Sequence, residues 1–445
     1  MEDLSMVAEN CNASTESTGI RPWLIWGSAS LFFLYEYLQR VAPSVMVDDL
    51  MRAFAIEGAE VGELGAFYYY AYAILQIPVG VLADRYGPRR PLVLAALLCV
   101  VGSVLFAMAH GFTSAALGRL LIGTGSGFAF VCCLRLAANW FPERHFGLLV
   151  GLTNMLGMVG AVSGEAPLAA VVGQFHWRET FFLLATLALV LAVLIFVVVR
   201  DHPKAPVMED EFQEGSWTRL FADLRVVMGN GQTWLNGVYA GCINAPLAAF
   251  GALWGVSFMG QIYGLSKEAA AASISLLFVG CLLGSAFYGW ISDRLQRRRT
   301  PMITSGVLSL LLMVPLLYLS GLPLWLANLL LFFLGFMGQG PVLAYAASRE
   351  WNPSAAAGIS SGMINTMLIG IGAISQPLVG WLLDLHWDGR MKGNAPEYTD
   401  WDFHFAMTSI IVLVIVGILA GFLVRETHCR QQEGPSVGRG PIVKR

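Results

Sequence analysis

Charge is what this sequence has least of. Only 13% of its 445 residues are Asp, Glu, Lys or Arg, whereas 56% are hydrophobic. Soluble domains usually carry about 25% charged residues. A chain with so little charge does not have enough polar surface for several soluble domains, so the composition excludes an ordinary soluble protein. The question becomes how the apolar residues are distributed.

The sequence also lacks the residue groupings that enzymes and metal sites need. Its seven cysteines show no paired spacing, and no phosphate-binding loop or nucleophile–base set is evident. Five of the cysteines fall in apolar stretches, where cysteine usually packs as a small hydrophobic residue. We therefore expect no enzymatic activity, no metal, no cofactor and no nucleic-acid partner.

The apolar residues come in blocks long enough to cross a membrane. A helix needs roughly 20 mostly apolar residues to span a hydrocarbon core of about 30 Å. We number the blocks segments 1 to 12: 22–47, 61–83, 91–110, 113–138, 147–172, 178–199, 233–259, 268–291, 301–320, 323–348, 356–384 and 402–424. The pattern predicts an all-α membrane protein with twelve transmembrane helices.

The positions of Lys and Arg predict the orientation of these helices. If both termini are cytoplasmic, nineteen of these residues lie in inner segments and five in outer loops, as the positive-inside bias requires. Residues 1–21 lack the basic start and apolar core of a secretory signal. We expect 1–21 and 425–445 to be cytoplasmic tails.

The chain contains an internal repeat. The stretch "GVLADRYGPRR" begins at Gly80 and "GWISDRLQRRR" at Gly289, and "NWFP" at 139–142 is matched by "EWNP" at 350–353. These matches fall after corresponding segments, which indicates duplication. We predict two six-helix bundles, 22–199 and 233–424, joined by a cytoplasmic linker at 200–232 that holds a short amphipathic helix.

Six plus six helices with the motif GxxxDRxGxRR after segment 2 resemble the major facilitator superfamily. The resemblance implies a transporter that works by alternating access. It also implies that Asp84, Arg85 and Arg89 form a latch closing the inner side, with a degenerate copy at Asp293 and Arg294. The alternative for this loop is a basic stretch that only sets the topology.

Five charged residues fall inside the predicted segments, where charge is rare and usually faces a cavity or another charge. They are Glu36, Arg40, Arg119, Arg135 and Glu165. Glu36 and Arg40 lie four residues apart, on one face of a helix. Their depth in the segments allows Glu36, Arg40, Arg119 and Glu165 to share a layer just outside the midplane. Arg119 lies in a stretch similar to the family's helix-4 motif, and Arg135 lies toward the cytoplasm, so we assign both to gating.

The same charges have structural explanations. Glu36 and Arg40 could form a pair that only neutralises charge, or Arg40 could reach the outer surface along its long stem. Glu165 could be a proton site or the structural partner of an arginine.

The matching segments of the second half are polar but uncharged, which suits a solute with one ionic end. We expect Arg40 to hold that end. Tyr69, Tyr72 and Gln76 share one helical face, although aromatic stripes of this kind more often serve packing. The full set of substrate-binding candidates is Arg40, Tyr69, Tyr72, Gln76, Asn244, Gln339, Asn365 and Gln376.

Segment 1 narrows the resemblance further. "YLQRVAPSVM" resembles the signature of the anion:cation symporter branch, in which Arg40 and Ser44 match. Gln39 and Ser126 stand where that branch has its proton-carrying acids, so any proton site moves to Glu36 or Glu165. The stretch with Glu36 also resembles bacterial nutrient carriers of the phagosomal-transporter type.

We therefore expect a monomeric, proton-coupled importer of an amino acid, peptide or organic anion in a bacterial inner membrane. One alternative is an efflux antiporter, because Gly151, Gly160 and Gly164 keep the glycine spacing of that group. Glu165 replaces the proline that efflux antiporters carry. The other alternative is a transporter-like sensor that binds a ligand without moving it.

Overall fold

The chain is almost entirely helical in the part that the structure describes. This computed structural model describes residues 19–201, 216–319 and 321–432. The first half consists of α1 (Ile20–Val41), α2 (Val47–Phe54), α3 (Gly58–Tyr86), α4 (Arg89–Ala107), α5 (Phe112–Ser126), α6 (Ala129–Trp140), α7 (Glu143–Ser163) and α8 (Ala166–Val198).

A short helix leads into the second half, which repeats the pattern of the first. These elements are α9 (Ser216–Gly229), α10 (Gly231–Ala245), α11 (Gly255–Tyr263), α12 (Lys267–Leu295), α13 (Arg299–Tyr318), α14 (Leu324–Met337), α15 (Pro341–Trp351), α16 (Ala357–His386) and α17 (Asp400–Leu423). A hairpin of β1 (Met391–Lys392) and β2 (Ala395–Pro396) precedes α17. Helix α9 lies where the linker's amphipathic helix is predicted, whereas most of both tails lies outside the described residues.

The helices confirm an all-α, multi-pass membrane protein. Nine helical stretches of the described chain are long and apolar enough to cross a membrane. One of them, 144–198, has 55 residues, which at about 1.5 Å per residue is far too long for one crossing. It changes direction at His176, whose φ is 59°. Helices α1 and α3 have 22 and 29 residues but are less apolar, and the count of twelve stays a prediction.

Both halves interrupt their first long helix at an Ala-Pro pair. After α1 the chain forms a 3-10 turn at Ala42–Met46, and after α10 it forms a π-helical stretch at Pro246–Trp254. Proline has no N–H for the helical ladder, and its ring displaces the preceding turn. The two breaks place Ser44 in one half and Ala248 in the other against neighbouring helices.

The duplication predicted from the sequence also appears in tertiary contacts. The indole Nε1 of Trp140 donates to the carbonyl of Arg200 at 3.1 Å, and the indole Nε1 of Trp351 donates to the carbonyl of Arg425 at 3.3 Å. Trp140 and Trp351 are the tryptophans of the repeated "NWFP" and "EWNP" stretches.

An acid just after the last helix of each half caps the third long helix of that half. The Arg89 N–H donates to Asp201 at 3.1 Å. The N–H groups of Arg298 and Arg299 donate to Glu426 at 2.7 and 3.1 Å. A carboxylate satisfies the free N–H groups of a helix N-terminus and is favoured there by the helix dipole. Sequence comparison of the halves does not reveal these caps, because Asp201 and Glu426 lie outside the repeated motifs.

Helices α3 and α16 join the two halves, and they meet most closely at one end. A Cβ added to Gly62 would lie 2.4 Å from the Pro377 Cα, and one added to Gly380 would lie 2.1 Å from the Gly58 carbonyl oxygen. Only glycine permits so close an approach. Following the orientation that Lys and Arg predict, we call this end, with β1 and β2, the outer side.

Candidate functional site

Glu36 and Arg40 form an ion pair on α1. Arg40 Nη2 bonds Glu36 Oε1 across one helical turn. The Glu36 side chain is fully buried, and that of Arg40 is 11% exposed. The structure thus brings together the two residues that the sequence places on one face.

Four tyrosines surround the guanidinium of Arg40. Its Cζ lies 4.2 Å from the ring centroid of Tyr37, 5.1 Å from that of Tyr72, and 5.8 Å from those of Tyr68 and Tyr69. Aromatic faces at these distances attract a cation. We call these residues the tyrosine cage; Tyr69 and Tyr72 are sequence predictions, whereas Tyr37 and Tyr68 are not.

Tyr68 links the ion pair to a second buried arginine. Its hydroxyl donates to Glu36 Oε1, and its ring centroid lies 5.0 Å from the Arg119 Cζ. Sequence reasoning chose the face of Tyr69 and Tyr72 and so missed Tyr68. Tyr68 lies one helical turn before Tyr72, and that spacing is a signal that could have identified it.

The ion pair keeps unused hydrogen-bonding capacity. Glu36 Oε2 and Arg40 Nε are buried and have no protein partner in the described chain. Buried polar atoms are rarely left without partners, and such exceptions call for an explanation. Both atoms belong to one ion pair, which therefore keeps one acceptor and one donor free of protein partners in the described chain.

Arg119 is held by backbone carbonyl groups. Its Nη1 donates to the Gln39 carbonyl at 2.9 Å and its Nε to the Leu64 carbonyl at 3.3 Å. The Gln39 side chain points elsewhere, with Nε2 at 2.7 Å from Ser103 Oγ. Arg119 therefore ties α5 to α1 and α3, and its gating role stays a prediction.

Neutral polar side chains from both halves meet near the inner part of α3. Asn365 Nδ2 donates to Gln76 Oε1 at 2.7 Å, and the Tyr345 hydroxyl donates to Asn365 Oδ1 at 2.7 Å. Gln76 and Asn365 are substrate-binding candidates predicted from the sequence, whereas Tyr345 was not predicted. The three residues form a polar bridge between the halves.

In the described chain, no hydrogen bond links the remaining neutral candidates to this bridge. Gln339 accepts a bond from Ser285 Oγ at 2.9 Å, and Asn244 is half-buried on α10. Gln376 is buried, donates to the Ala248 carbonyl at 2.8 Å and packs against Gly65. In this conformation Gln376 braces the π-helical break, and a role in substrate binding stays a prediction.

Glu165 is separate from the ion pair. It lies at the N-terminus of α8, fully buried, and its Oε1 accepts a hydrogen bond from Ser44 Oγ at 2.9 Å. Its Oε2 has no protein partner in the described chain. The layer expected from the sequence is therefore only partly assembled: Glu36, Arg40 and Arg119 gather around Tyr68, and Glu165 contacts Ser44.

The outer side is closed by contacts between the halves. The Gly58 and Ala59 N–H groups donate to the Asp384 carboxylate at 2.9 and 2.7 Å. The Gly58 N–H also lies 2.9 Å from the Tyr398 hydroxyl, which donates to Asp384. Burial, and then this hydrogen bond to Asp384, raise the pKa of Tyr398. Lys267 Nζ pairs with Asp49 at 2.6 Å.

Glycines at the inner ends of α7 and α16 show no such closeness. A Cβ added to Gly147, Gly151 or Gly358 would meet no atom of the described chain within 4 Å. On the outer side, a Cβ added to Gly65 would lie 2.2 Å from Gln376 Oε1. The halves are tightly joined on the outer side and loosely joined on the inner side.

The inner latch is only partly visible. The side chains of Asp84 and Arg85 lie outside the described residues. Arg89 bonds within its own half, with Nη2 at 2.7 Å from the Phe196 carbonyl oxygen. Arg135 is half-buried on α6. A latch between the halves at this end stays a prediction.

The degenerate copy of the motif also bonds within its own half. Arg298 bridges Asp293 at 2.8 Å and Glu350 at 2.9 Å. Arg294 is exposed and lies over the Trp290 ring, 5.4 Å from its centroid. The sequence singled out Asp293 and Arg294, whereas Arg298 makes the ion pairs.

Three curated relatives resemble this chain over long stretches. The probable sulfoacetate transporter SauU of Cupriavidus necator is 24% identical over 62% of this chain and 66% of its own length. The membrane sensor protein UhpC of Salmonella typhimurium is 25% identical over 91% of this chain and 92% of its length. The probable galactarate/D-glucarate transporter GudP of Escherichia coli is 23% identical over 92% of this chain and 97% of its length.

Solved structures share the fold. A bacterial homolog of the human lysosomal transporter Spinster, in an inward-facing and occupied conformation, superposes with a TM-score of 0.77 at 13% identity. The match covers 92% of this chain and 97% of that one. The sequence model described as Major Facilitator Superfamily matches residues 28–377 and 245–443. This chain therefore belongs to the Major Facilitator Superfamily and is an alternating-access membrane transporter, not an enzyme.

Proposed function

We propose that this chain imports a small organic anion together with protons. The observation that carries the proposal is the Glu36–Arg40 pair, because each residue keeps a buried polar atom without a partner. The relatives add support, since sulfoacetate, galactarate and D-glucarate are organic anions. Amino acids and peptides also carry a carboxylate and belong in the same screen.

The pair supplies a way to couple solute and proton. An acid group of the solute binds the Arg40 guanidinium in place of Glu36, as planar bidentate pairing favours. Glu36 then remains buried beside Tyr68 without its cation. An isolated buried carboxylate is costly, so Glu36 binds a proton. Solute and proton thereby occupy the site together.

The surroundings favour a solute with hydroxyl or amide groups behind its acid. The tyrosine cage offers hydroxyl groups, and the polar bridge offers one amide from each half, Gln76 and Asn365, together with the Tyr345 hydroxyl. A bound solute touching both sets would contact both bundles. Such contact lets ligand binding bias the exchange between conformations.

The first test is a ligand screen by thermal shift on the purified protein. A ligand that binds only the folded state at about 100 times its Kd adds roughly 2.7 kcal/mol of stability. The panel holds uronates, aldonates, aldarates, sulfonates, amino acids and dipeptides. We expect carboxylate hits that disappear in Arg40→Ala and persist in Arg52→Ala, a control on the outer helix α2. Hits that persist in both variants would contradict the role of Arg40.

A sensor that binds without transporting is the second candidate. It is favoured by the likeness to UhpC, a membrane sensor protein matched over 91% of this chain. Counterflow in liposomes separates the two functions, because only a transporter exchanges labelled for unlabelled solute. If the protein exchanges solute by counterflow and an inward proton gradient drives solute out of the liposomes, the result would instead support an antiporter.

The proposed setting is a bacterial inner membrane, with both termini cytoplasmic and the chain working as a monomer. Nineteen Lys and Arg residues in inner segments against five in outer loops support this orientation. In that orientation the closed outer side and the looser inner side correspond to an inward-facing state. The predicted latch of Asp84, Arg85 and Arg89 would close the inner side in the opposite state.

A further inference from the structure

A buried carboxyl lies outside the coupling site just described. Glu165 sits at the break between α7 and α8, where φ and ψ are −99° and −105°. Its side chain is fully buried. One oxygen accepts a hydrogen bond from Ser44 at 2.9 Å, and the other has no protein partner in the described chain.

The described charged groups on the helices around Glu165 either pair with other residues or lie at least two helical turns away from it. On α1, Glu36 and Arg40 pair with each other. On α12, Glu268 lies beside Gly173, two turns beyond Glu165 on α8. In the described chain this buried carboxyl accepts one hydrogen bond, from the Ser44 hydroxyl, and has no cationic partner. An unpaired charge in the interior is penalised by several kcal/mol, so the carboxyl holds a proton in this conformation.

Ser44 connects this carboxyl to the outer side. It belongs to the 3-10 turn after α1 and also lines a cavity of about 260 Å³ between the outer ends of the halves. The same cavity is lined by charged residues on both halves: Asp48, Arg52, Lys267, Lys392 and Glu397. Ser44 therefore lies between Glu165 and this cavity at the outer side.

We propose that Glu165 is a second proton-binding site, filled from the outer cavity past Ser44, whose protonation allows the outer side to close. The proton comes from the outer water, binds a carboxylate oxygen of Glu165, and returns to the same side when the outer side opens. It does not cross the membrane. The proposal rests on the proposed function only in taking the chain to alternate between two conformations.

The repeat supplies an internal reference for the protonated state. Gln376 is the counterpart of Glu165 in the second half, is equally buried, and braces the π-helical break by donating to the Ala248 carbonyl at 2.8 Å. An amide never carries charge, so that half closes independently of pH. A Glu165→Gln variant should make the first half behave in the same way.

The test measures the distance between the outer ends of the halves as a function of pH. Spin labels are placed at Ala53→Cys and Asn394→Cys, two exposed positions on opposite halves, in full-length protein in nanodiscs. Cys11 and Cys429 are replaced by serine, and Glu57 by glutamine in every sample. Burial, and then Asp384 and Glu60, raise the pKa of Glu57, so its titration would otherwise add a response of the same sign.

The long-distance population should grow several-fold between about pH 5 and pH 9 when Glu165 is present, because deprotonation opposes closure. Glu165→Gln should stay at the low population at every pH, whereas Glu397→Gln, the control in the same cavity, should respond like the parent. Glu165→Asp should retain a response. It serves as the second variant if glutamine impairs folding.

Several results would overturn the proposal. A parent protein without a pH response, a Glu165→Gln variant that responds like the parent, or a Glu165→Asp variant without any response would each do so. A response lost only in Glu36→Gln would also overturn it, while leaving the proposed coupling at Glu36 in place. Loss of coupling in Glu36→Gln with the pH response intact would support two separate proton sites.

Discussion

The carboxylate of Asp384 accepts the backbone N–H of Gly58 at 2.9 Å, across the boundary between the halves. The neighbouring N–H of Ala59 binds the same carboxylate at 2.7 Å. A negative charge thus caps the N-terminus of α3, where the free N–H groups and the helix dipole favour it. Asp384 lies two residues before the end of α16, as Asp84 does in α3.

Removing this charge should weaken the closure of the outer side. Hydrogen bonds to charged groups contribute about 1.5–3 kcal/mol each, so Asp384→Asn should raise the outward-open fraction by roughly tenfold. The measurement is labelling of Ser257→Cys, in the outer cavity, by a membrane-impermeant maleimide. Asp388→Asn, whose carboxylate pairs with Arg390 in the same loop, is the matched control. Equal labelling in both variants would contradict the role of Asp384.

Glycines at the moving contact should behave differently from glycines inside one half. A Cβ at Gly380 would lie 2.1 Å from the Gly58 carbonyl oxygen across the halves, and a Cβ at Gly335 would lie 1.9 Å from the Leu277 carbonyl oxygen within the second half. We expect Gly380→Ala to favour the outward-open state with a small change in melting temperature. Gly335→Ala should lower the melting temperature by several degrees, because its packed contact has no alternative state. Similar melting losses without a conformational shift would refute this distinction.

The cap of α13 should make stability depend on pH. Burial raises the pKa of Glu426, but the N–H groups of Arg298, His428, Thr427 and Arg299 outweigh it and lower that pKa below its usual range. Because the pKa of Glu426 is lower in the folded state, its charge stabilises the fold at pH values above the pKa of the unfolded chain, about 4.3. This contribution is lost as the pH falls through the pKa of the folded state.

The melting temperature of Glu426→Gln should therefore lie below that of the parent near neutral pH, and the gap should shrink in acid. Glu397→Gln, an exposed acid of the outer side, provides the comparison. A gap that widens in acid would have the wrong sign for this cap.

Tyr68 should matter more than its neighbour for proton-linked uptake. Tyr68→Phe removes the hydroxyl that donates to the Glu36 carboxylate, and a hydrogen bond to a charged group contributes about 1.5–3 kcal/mol. We expect proton-driven accumulation to fall several-fold. Tyr69→Phe keeps the aromatic face near Arg40 and all bonds to Glu36, so uptake should change little. Equal losses in the two variants would show that Tyr68 acts only through its ring.

Features set by local spacing were predictable from the sequence. Helical geometry fixes the Glu36–Arg40 pair at four residues, and the repeated motifs reveal the duplication that the Trp140 and Trp351 contacts display.

Features that depend on how distant helices meet were not predictable. Ser44 reaches Glu165 over 121 residues of sequence, and Gly58 meets Asp384 over 326. A single sequence does not specify such pairs, because no motif marks which distant residues meet. The loop with Tyr398, which also contacts Gly58, carries no motif either. The repeated motif predicts Arg294 as the latch arginine of the second half, whereas Arg298 makes the ion pairs there. A motif match gives the position of a residue in the sequence but not which groups its side chain reaches.

The most direct test of the central claim is solute uptake into liposomes under an imposed pH gradient, with Glu36→Gln beside the parent. The organic anion found in the screen is used at equal external concentration. We predict that the parent accumulates it when the outer solution is acidic, and that Glu36→Gln loses accumulation but still exchanges labelled solute by counterflow. Undiminished proton-driven accumulation in Glu36→Gln would contradict the coupling of solute and proton at the Glu36–Arg40 pair.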